Sequence, residues 1–212
     1  AEQNGFKMYD CYTGFKWIAN VMRENEGKKN YIGGGEESYG FLCEDFVRDK
    51  DAVSACVILA EIAAWAKDQG LSLYQLLQKI YVEYGFSKEK GISVVKKGKS
   101  GAEEIEAMMK KFRENPLTEI AGSKVTYFYD YSTLKGKDYA ENETVTLDMP
   151  TTSNVLQYFT EDNTKVSIRP SGTEPKIKFY CEVHSKVKSI DEFKEKPDLK
   201  TARHYVDAGN YF

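Results

Sequence analysis

Arg169-Pro170-Ser171-Gly172-Thr173-Glu174-Pro175-Lys176-Ile177-Lys178 is bounded on both sides by strand-like sequence: Lys165 to Ile168 leads in, and Ile177 to Val183 leads out. In the outgoing run, Ile177, Phe179, Cys181 and Val183 alternate with Lys178, Tyr180, Glu182 and His184. Period two buries one face of a strand and sets Lys178 on the other, beside the loop. The loop holds the parts of a phosphate cradle. Arg169 offers a planar fork of donors matched to phosphate oxygens. Gly172 lets the main chain approach an anion closely, so that successive N–H groups can point inward as a nest. Ser171 and Thr173 add hydroxyl donors, and the prolines stiffen the turn. A polar hairpin turn accounts for the same residues, so two readings stand on this stretch alone.

Working outward, the whole chain of 212 residues carries 30 basic and 33 acidic side chains, a net charge of −3. That leaves no broad basic surface and argues against nucleic acid as a partner. An anion would have to be held by a local cluster. At 41% hydrophobic the chain can fill one large core or two small ones. The longest apolar run, 52–66, contains Glu61 and is too short to span a bilayer, so no membrane partner is expected. Cys11, Cys43, Cys56 and Cys181 form no CxxC pair and read as reduced thiols. With no signal peptide in view, the expected location is the cytoplasm. Ala1 stands where a Met would open a reading frame, which points to a piece or a processed product. His184 and His204 lack metal-ligand company, so no metal site is expected.

Taken in order, Phe6 to Tyr12 alternates loosely and predicts a strand. Thr13-Gly14 breaks it, and Phe15, Ile18, Ala19 and Met22 have the spacing of a helix over 15–24. Lys16 falls in the first turn, where the helix dipole disfavours a cation; it reads either as a solvated charge or as a residue with a separate task. Tyr31-Ile32 predicts a short strand running into Gly33-Gly34-Gly35-Glu36-Glu37-Ser38-Tyr39-Gly40. Three glycines in a row are costly in backbone entropy and point to a special conformation. Glu36 and Ser38 can bond to sugar hydroxyls, and strand ends of α/β sheets are where ligands bind; a polar surface turn is the alternative. Arg48 remains open as a ligand contact, whereas Lys50 reads as part of an alternating, solvated lead-in.

A helix is predicted over 52–69, ended by Gly70, with apolar residues covering so much of its circumference that burial between layers is expected. Ser72 and Gln75 form a capping box for the next helix. Ser87 to Gly98 is polar and lysine-rich around Ile92 to Val95, and the domain boundary is placed at its start. A second capping box, Ser100 to Glu103, opens a helix that Pro116 ends, with Ile105, Met108, Met109 and Phe112 on one face. Val125 to Tyr131 predicts a strand, Ser132 to Thr144 a long loop or edge hairpin, and Val155 to Ile168 a hairpin. Weak helical character is confined to Asp198 to Val206 in the tail.

Three motifs occur together in this order in one family. Thr13-Gly14-Phe15-Lys16, Gly35-Glu36-Glu37-Ser38-Tyr39-Gly40 and Arg169-Pro170-Ser171-Gly172-Thr173-Glu174-Pro175 resemble the signature segments of the α-D-phosphohexomutases. Val47-Arg48-Asp49-Lys50-Asp51-Ala52 is similar to the phosphoglucomutase/phosphomannomutase branch, which includes enzymes acting on pentose phosphates. The likeness runs from Phe6 to Val183. Family members have four domains around a cleft, and this chain is similar to the last two. The resemblance implies an α/β plus α+β fold. Residues 1–87 would be a partial third domain with the sugar-binding loop, lacking its opening strand and helix. Residues 88–212 would be an α+β fourth domain with a mainly antiparallel sheet and the phosphate-binding loop.

The resemblance also implies roles. Glu36 and Ser38 would contact sugar hydroxyls, and Lys16 would touch the phosphosugar and assist proton transfer. Arg169, Ser171, Gly172 and Thr173 would hold the non-reacting phosphate, with Lys178 helping. Family catalysis moves a phosphoryl group between a phosphoserine and the sugar through a sugar 1,6-bisphosphate, with Mg2+ beside the serine. Neither the serine loop, similar to Thr-Ala-Ser-His-Asn-Pro, nor the metal loop, similar to Asp-Gly-Asp-Gly-Asp-Arg, occurs in these residues. Ser171 has no neighbouring base to make it a nucleophile. The expectation is the C-terminal part of a mutase, inactive alone, with a phosphosugar and the missing N-terminal domains of the same protein as partners. A stand-alone phosphosugar-binding module uses the same residues, and an interaction domain whose loops are only turns is the third reading.

Overall fold

The computed structural model of the chain describes residues 1–195 except Glu37, Lys97 and Thr173. They divide into two compact units, Ala1–Leu77 and the residues from Gln78 onward. The first unit opens with a short 3₁₀ turn, Glu2–Asn4, and helix α1, Phe15–Asn25. The strand expected over Phe6 to Tyr12 does not form. A strand needs a neighbour to bond its alternate N–H and C=O groups, and no described residue offers a ladder there.

The strand expected at Tyr31-Ile32 lies three residues later, where β1, Gly34–Gly35, pairs antiparallel with β2, Phe41–Leu42. Tyr31 serves the hairpin through its side chain, donating its hydroxyl to the Leu42 carbonyl at 3.0 Å. Phe15 and Met22 of α1 pack on Leu42, with Ile18 and Tyr31 beside them, to form a small core.

Helix α2, Ala52–Asp68, is started by Asp51, whose carboxylate accepts from the N–H groups of Val53 at 3.0 Å and Ser54 at 3.3 Å. Hydrogen bonds from Ser54 and then Val53 hold that carboxyl below the usual carboxylate range. The expected burial of α2 is not found. Only Ala66 is buried, while Val53 is 73% and Trp65 55% exposed, and Val57, Leu59 and Ile62 are also exposed. Periodicity reports what a helix needs covered, and nothing described covers this one. Helix α3, Leu73–Tyr84, spans the junction of the two units and begins at the predicted capping box. Gln75 N–H donates to Ser72 Oγ at 3.2 Å, and Ser72 N–H donates to Gln75 Oε1 at 2.8 Å.

The second unit is built on one antiparallel sheet. Its elements are β3 (Phe86–Val95), α4 (Gly98–Glu114), β4 (Glu119–Ile120), β5 (Ser123–Asp130), β6 (Lys135–Asp138), β7 (Glu143–Thr146), β8 (Leu156–Thr160), β9 (Lys165–Pro170), β10 (Lys176–Ser185) and α5 (Ile190–Glu195). The strand order is β3-β10-β9-β8-β5-β6-β7, with β4 added to β5. Ser87 to Val95 is the bulk of an edge strand paired along the whole of β10, and its lysines suit an edge that must resist further pairing. Helix α4 begins at Gly98, so Ser100 lies inside the helix and is not its cap. Of the two readings for Ser132 to Thr144, the edge hairpin forms, as β6 and β7. The weak helix read at Asp198 to Val206 lies outside the described residues.

The alternation of β10 is realised: Ile177, Phe179, Cys181 and Val183 are buried. They join Ile105, Met109 and Phe112 of α4, and Leu156, Tyr158, Val166 and Ile168, in one core. Fourteen buried side chains form that cluster, against three in the first unit, so the second unit has the larger self-contained core. At about 1.5–3 kcal/mol for each fully buried side chain, the difference outweighs any surface pairing. Arg113 Nε, on α4, donates to Asp130 Oδ2 at 3.1 Å, tying the helix to the end of β5.

Two outcomes follow from this packing. Gly136 sits opposite Tyr129, and a Cβ there would run into the Tyr129 ring and the Phe128 carbonyl. Gly136→Ala is expected to destabilise the chain by about 1–3 kcal/mol, read as a lower urea midpoint. Burial pushes the Cys181 thiol up to about 11, whereas Cys11 and Cys56 are exposed. Iodoacetamide at pH 8 should label the exposed pair first, and mass spectrometry should find Cys181 modified only once urea unfolds the second unit.

Candidate functional site

The predicted site residues fall into two groups, one in each unit. In the first unit a single carboxylate holds two motifs together. Glu36 Oε2 accepts from the Gly14 N–H at 3.1 Å, across 22 residues of chain. Gly14 is the residue at the start of α1, and its carbonyl accepts from Trp17 N–H at 2.9 Å. The loop that carries Glu36 is closed at its base, where Glu36 N–H donates to the Gly40 carbonyl at 2.9 Å. Gly40 is required by crowding, since a Cβ would lie 2.8 Å from both Glu36 Oε1 and the Phe15 ring. The turn Thr13-Gly14-Phe15-Lys16 and the base of the hairpin at Glu36 and Gly40 are thus joined into one piece.

On that piece Lys16 is exposed, with its Nζ 4.9 Å from the centre of the Trp17 ring. Contact with an aromatic face steadies a cation that the helix start disfavours. Ser38 is exposed at the loop tip. Arg48 is held elsewhere, its Nη2 2.7 Å from Glu26 Oε1, so an anion at Arg48 would compete with a carboxylate. Lys50 pairs with Asp49 at 3.4 Å in the solvated lead-in that its alternating charges imply, and its Nζ lies 5.7 Å over the Phe15 ring.

In the second unit the loop between β9 and β10 is pinned at both ends. Ser171 N–H donates to the Lys176 carbonyl at 2.8 Å, and Lys96 N–H donates to the Pro175 carbonyl at 2.8 Å. Arg169 is exposed at the end of β9 and stands directly opposite Lys178 of β10. Both project from the face of the sheet opposite to Ile168 and Phe179. Directly opposed side chains have Cβ atoms about 4.5–5.5 Å apart, a spacing at which like charges repel. Among the described residues no carboxylate lies within salt-bridge distance of either cation, although Lys178 helps to hold the Glu174 carboxyl below its usual range. Nearby Lys176 is matched by Glu174, whose carboxyl it holds below the usual range, and Lys96 by Glu104 at 3.0 Å. Space above Gly172 is open, since a Cβ there would meet nothing within 4 Å. Thr173 lies outside the described residues.

Behind the loop, between it and α4, is a cavity of about 190 Å³ lined among others by Ile105, Glu106, Asn154, Ser171 and Lys176. Asn154, which no motif pointed to, accepts from Arg113, the same guanidinium that bonds Asp130. The cation pair can hold a small anion on the outer face. Among the described residues no group of three or more His, Cys, Asp or Glu side chains is placed to hold a metal ion, so the donor set does not fit a Mg2+ site.

Removing the latch between the two motifs should loosen both. Glu36→Ala leaves the Gly14 N–H without its partner, a loss of about 1–3 kcal/mol to local stability. Hydrogen exchange at the start of α1 and in the β1–β2 hairpin should speed up together, with exchange in the second unit unaltered.

Comparison with known proteins identifies the two units. Residues 1–84 match phosphoglucomutase/phosphomannomutase, alpha/beta/alpha domain III, and residues 93–199 match phosphoglucomutase/phosphomannomutase, C-terminal domain. A phosphoglucomutase of Staphylococcus haemolyticus is 35% identical over 195 residues, covering 92% of this chain and 34% of that protein. One from Staphylococcus aureus is 38% identical over 196 residues, covering 92% and 35%. The chain thus spans about a third of the length of the curated relatives it matches. The crystal structure of the exocytosis-sensitive phosphoprotein pp63/parafusin from Paramecium, in its open form, aligns with a TM-score of 0.57. That alignment covers 97% of this chain and 34% of that one at 18% identity, a likeness of fold alone. An α/β unit followed by an antiparallel α+β unit, matched in order by the third and last domains of one family, makes this chain a member of the phosphoglucomutase/phosphomannomutase family.

Proposed function

We propose that the whole protein interconverts 1- and 6-phosphosugars through a phosphoserine and a sugar 1,6-bisphosphate, and that this chain supplies substrate contacts without the nucleophile. Residues 1–87 act as a partial sugar-recognition domain and residues 88–212 as the phosphate-binding domain. Arg169 and Lys178 grip the phosphate that is not being transferred, with Ser171, Gly172 and Thr173 completing the cradle. Glu36 positions the sugar loop, Ser38 reads sugar hydroxyls, and Lys16, with Lys50 nearby, faces the phosphosugar. Arg48 contributes where substrate draws it from Glu26. Mg2+ belongs to the part of the protein that carries the serine, and the cytoplasm is the proposed setting. Among the described residues no helix is long and apolar enough to cross a membrane.

The observation that carries this reading is the pair of directly opposed cations beside the closed loop, neither of them in a salt bridge among the described residues. Two like charges held face to face cost stability unless an anion relieves them. A doubly charged phosphate does so with charge-assisted bonds, to which Arg contributes two at once. The apolar surface of α2 supports an assembled protein over a stand-alone module, since uncovered side chains such as Val53 and Trp65 call for a covering surface.

The test is phosphate binding by the whole protein. Arg169→Ala should weaken inhibition by inorganic phosphate and raise KM for a phosphosugar by about 10- to 100-fold, the loss expected for a charged hydrogen bond. Lys178→Ala should do the same to a smaller extent. Unchanged inhibition and KM in both variants would leave the loop as a hairpin turn and end the proposal.

A further inference from the structure

We propose that Tyr39 is a specificity-determining residue whose ring stacks on the apolar face of the sugar. This rests on the reading of the Glu36–Gly40 loop as the sugar loop, and it adds a contact that the hydrogen-bonding residues cannot make. Tyr39 has φ 68°, in the left-handed region that bulky residues rarely adopt. Glycine would sit there freely, and asparagine with little strain. Tyr39 precedes Gly40, whose carbonyl accepts from Glu36 N–H and closes the hairpin, a turn position where a left-handed residue is needed and glycine or asparagine is usual.

The turn needs a left-handed residue but has no use for an aromatic ring. The Tyr39 side chain is 101% exposed, so its ring is in contact with solvent on all sides. By contrast, Tyr127 and Tyr129 on the sheet lean on one another, their ring centres 6.0 Å apart. Tyr39 therefore presents a whole aromatic face at the tip of a fixed hairpin, one residue from the exposed Ser38 hydroxyl. A pyranose has the matching shape: hydroxyls around its edge for Ser38, and a patch of C–H groups on its face for a ring. A neutral ring senses the body of the sugar and is indifferent to which end carries phosphate. It therefore acts on sugar affinity separately from the phosphate clamp.

The experiment uses the whole protein with Tyr39→Asn, which tolerates the left-handed backbone but removes the ring, and Tyr39→Phe, which keeps the ring. Tyr39→Asn should leave the thermal midpoint unchanged or raised, raise KM for glucose 6-phosphate about 10-fold, and leave inhibition by inorganic phosphate within twofold of the parent. Tyr39→Phe should restore KM to within twofold. If Tyr39→Asn leaves KM unchanged while Arg169→Ala weakens phosphate, the stacking role is wrong and the site reading stands. If Tyr39→Asn lowers the thermal midpoint with KM unchanged, the ring packs on protein and the inference also fails. If Arg169→Ala leaves phosphate inhibition unchanged as well, the reading on which the inference rests falls with it.

Discussion

Strand β10 is paired on both sides along most of its length, to β3 over ten residues and to β9 over six. That ladder fixes its register, and register fixes which side chains meet α4 and which reach the other face. Ile177 and Phe179 go inward and are fully buried, so Lys178 must go outward, level with Arg169. A slip of one residue would bury Lys178 and expose Phe179, at a cost of several kcal/mol on each count. The placement of the cation pair is thus a by-product of core formation. The fold holds two like charges together because the alternative is to unpack its own interior.

The first unit solves the same positioning problem with far less core. Three buried side chains and a four-residue sheet cannot fix a loop by packing alone. A charged group supplies the missing constraint. Glu36 was expected among the sugar contacts, and one of its oxygens is already taken by the Gly14 N–H. In the proposed function its larger contribution is positional: it makes the α1 turn and the sugar loop move as one body. Its second oxygen lies beside Gly40, so the carboxylate is half-buried at the junction it makes.

Helical periodicity and capping chemistry made α1, α2 and α3 legible from residues alone, because both are local properties of the chain. The antiparallel sheet was legible where alternation was strict, as in β8, β9 and β10. Strands failed where the deciding factor was a partner. Phe6 to Tyr12 has the pattern of a strand and no ladder among the described residues, while β3 reads as polar and lysine-rich and is an edge strand paired throughout. Among site residues, Arg169, Ser171, Lys16 and Glu36 were visible as motif members. Asn154 and the Arg113–Asp130 tie were invisible, since each gains its place through contacts distant in sequence.

Helix α2 has a thermodynamic consequence of its own. Helices in proteins draw most of their persistence from packing one face against something. This helix has only Ala66 fully buried, with Ala55, Ile58 and Ala63 half-buried, and it leans on the Asp51 cap and on a sequence rich in alanine, the residue that forms helix most readily. Left in water, it would open and close at a free energy well below that of the sheet in the other unit. Whatever surface seals its apolar side would then set the lifetime of the first unit, making assembly and folding one event instead of two.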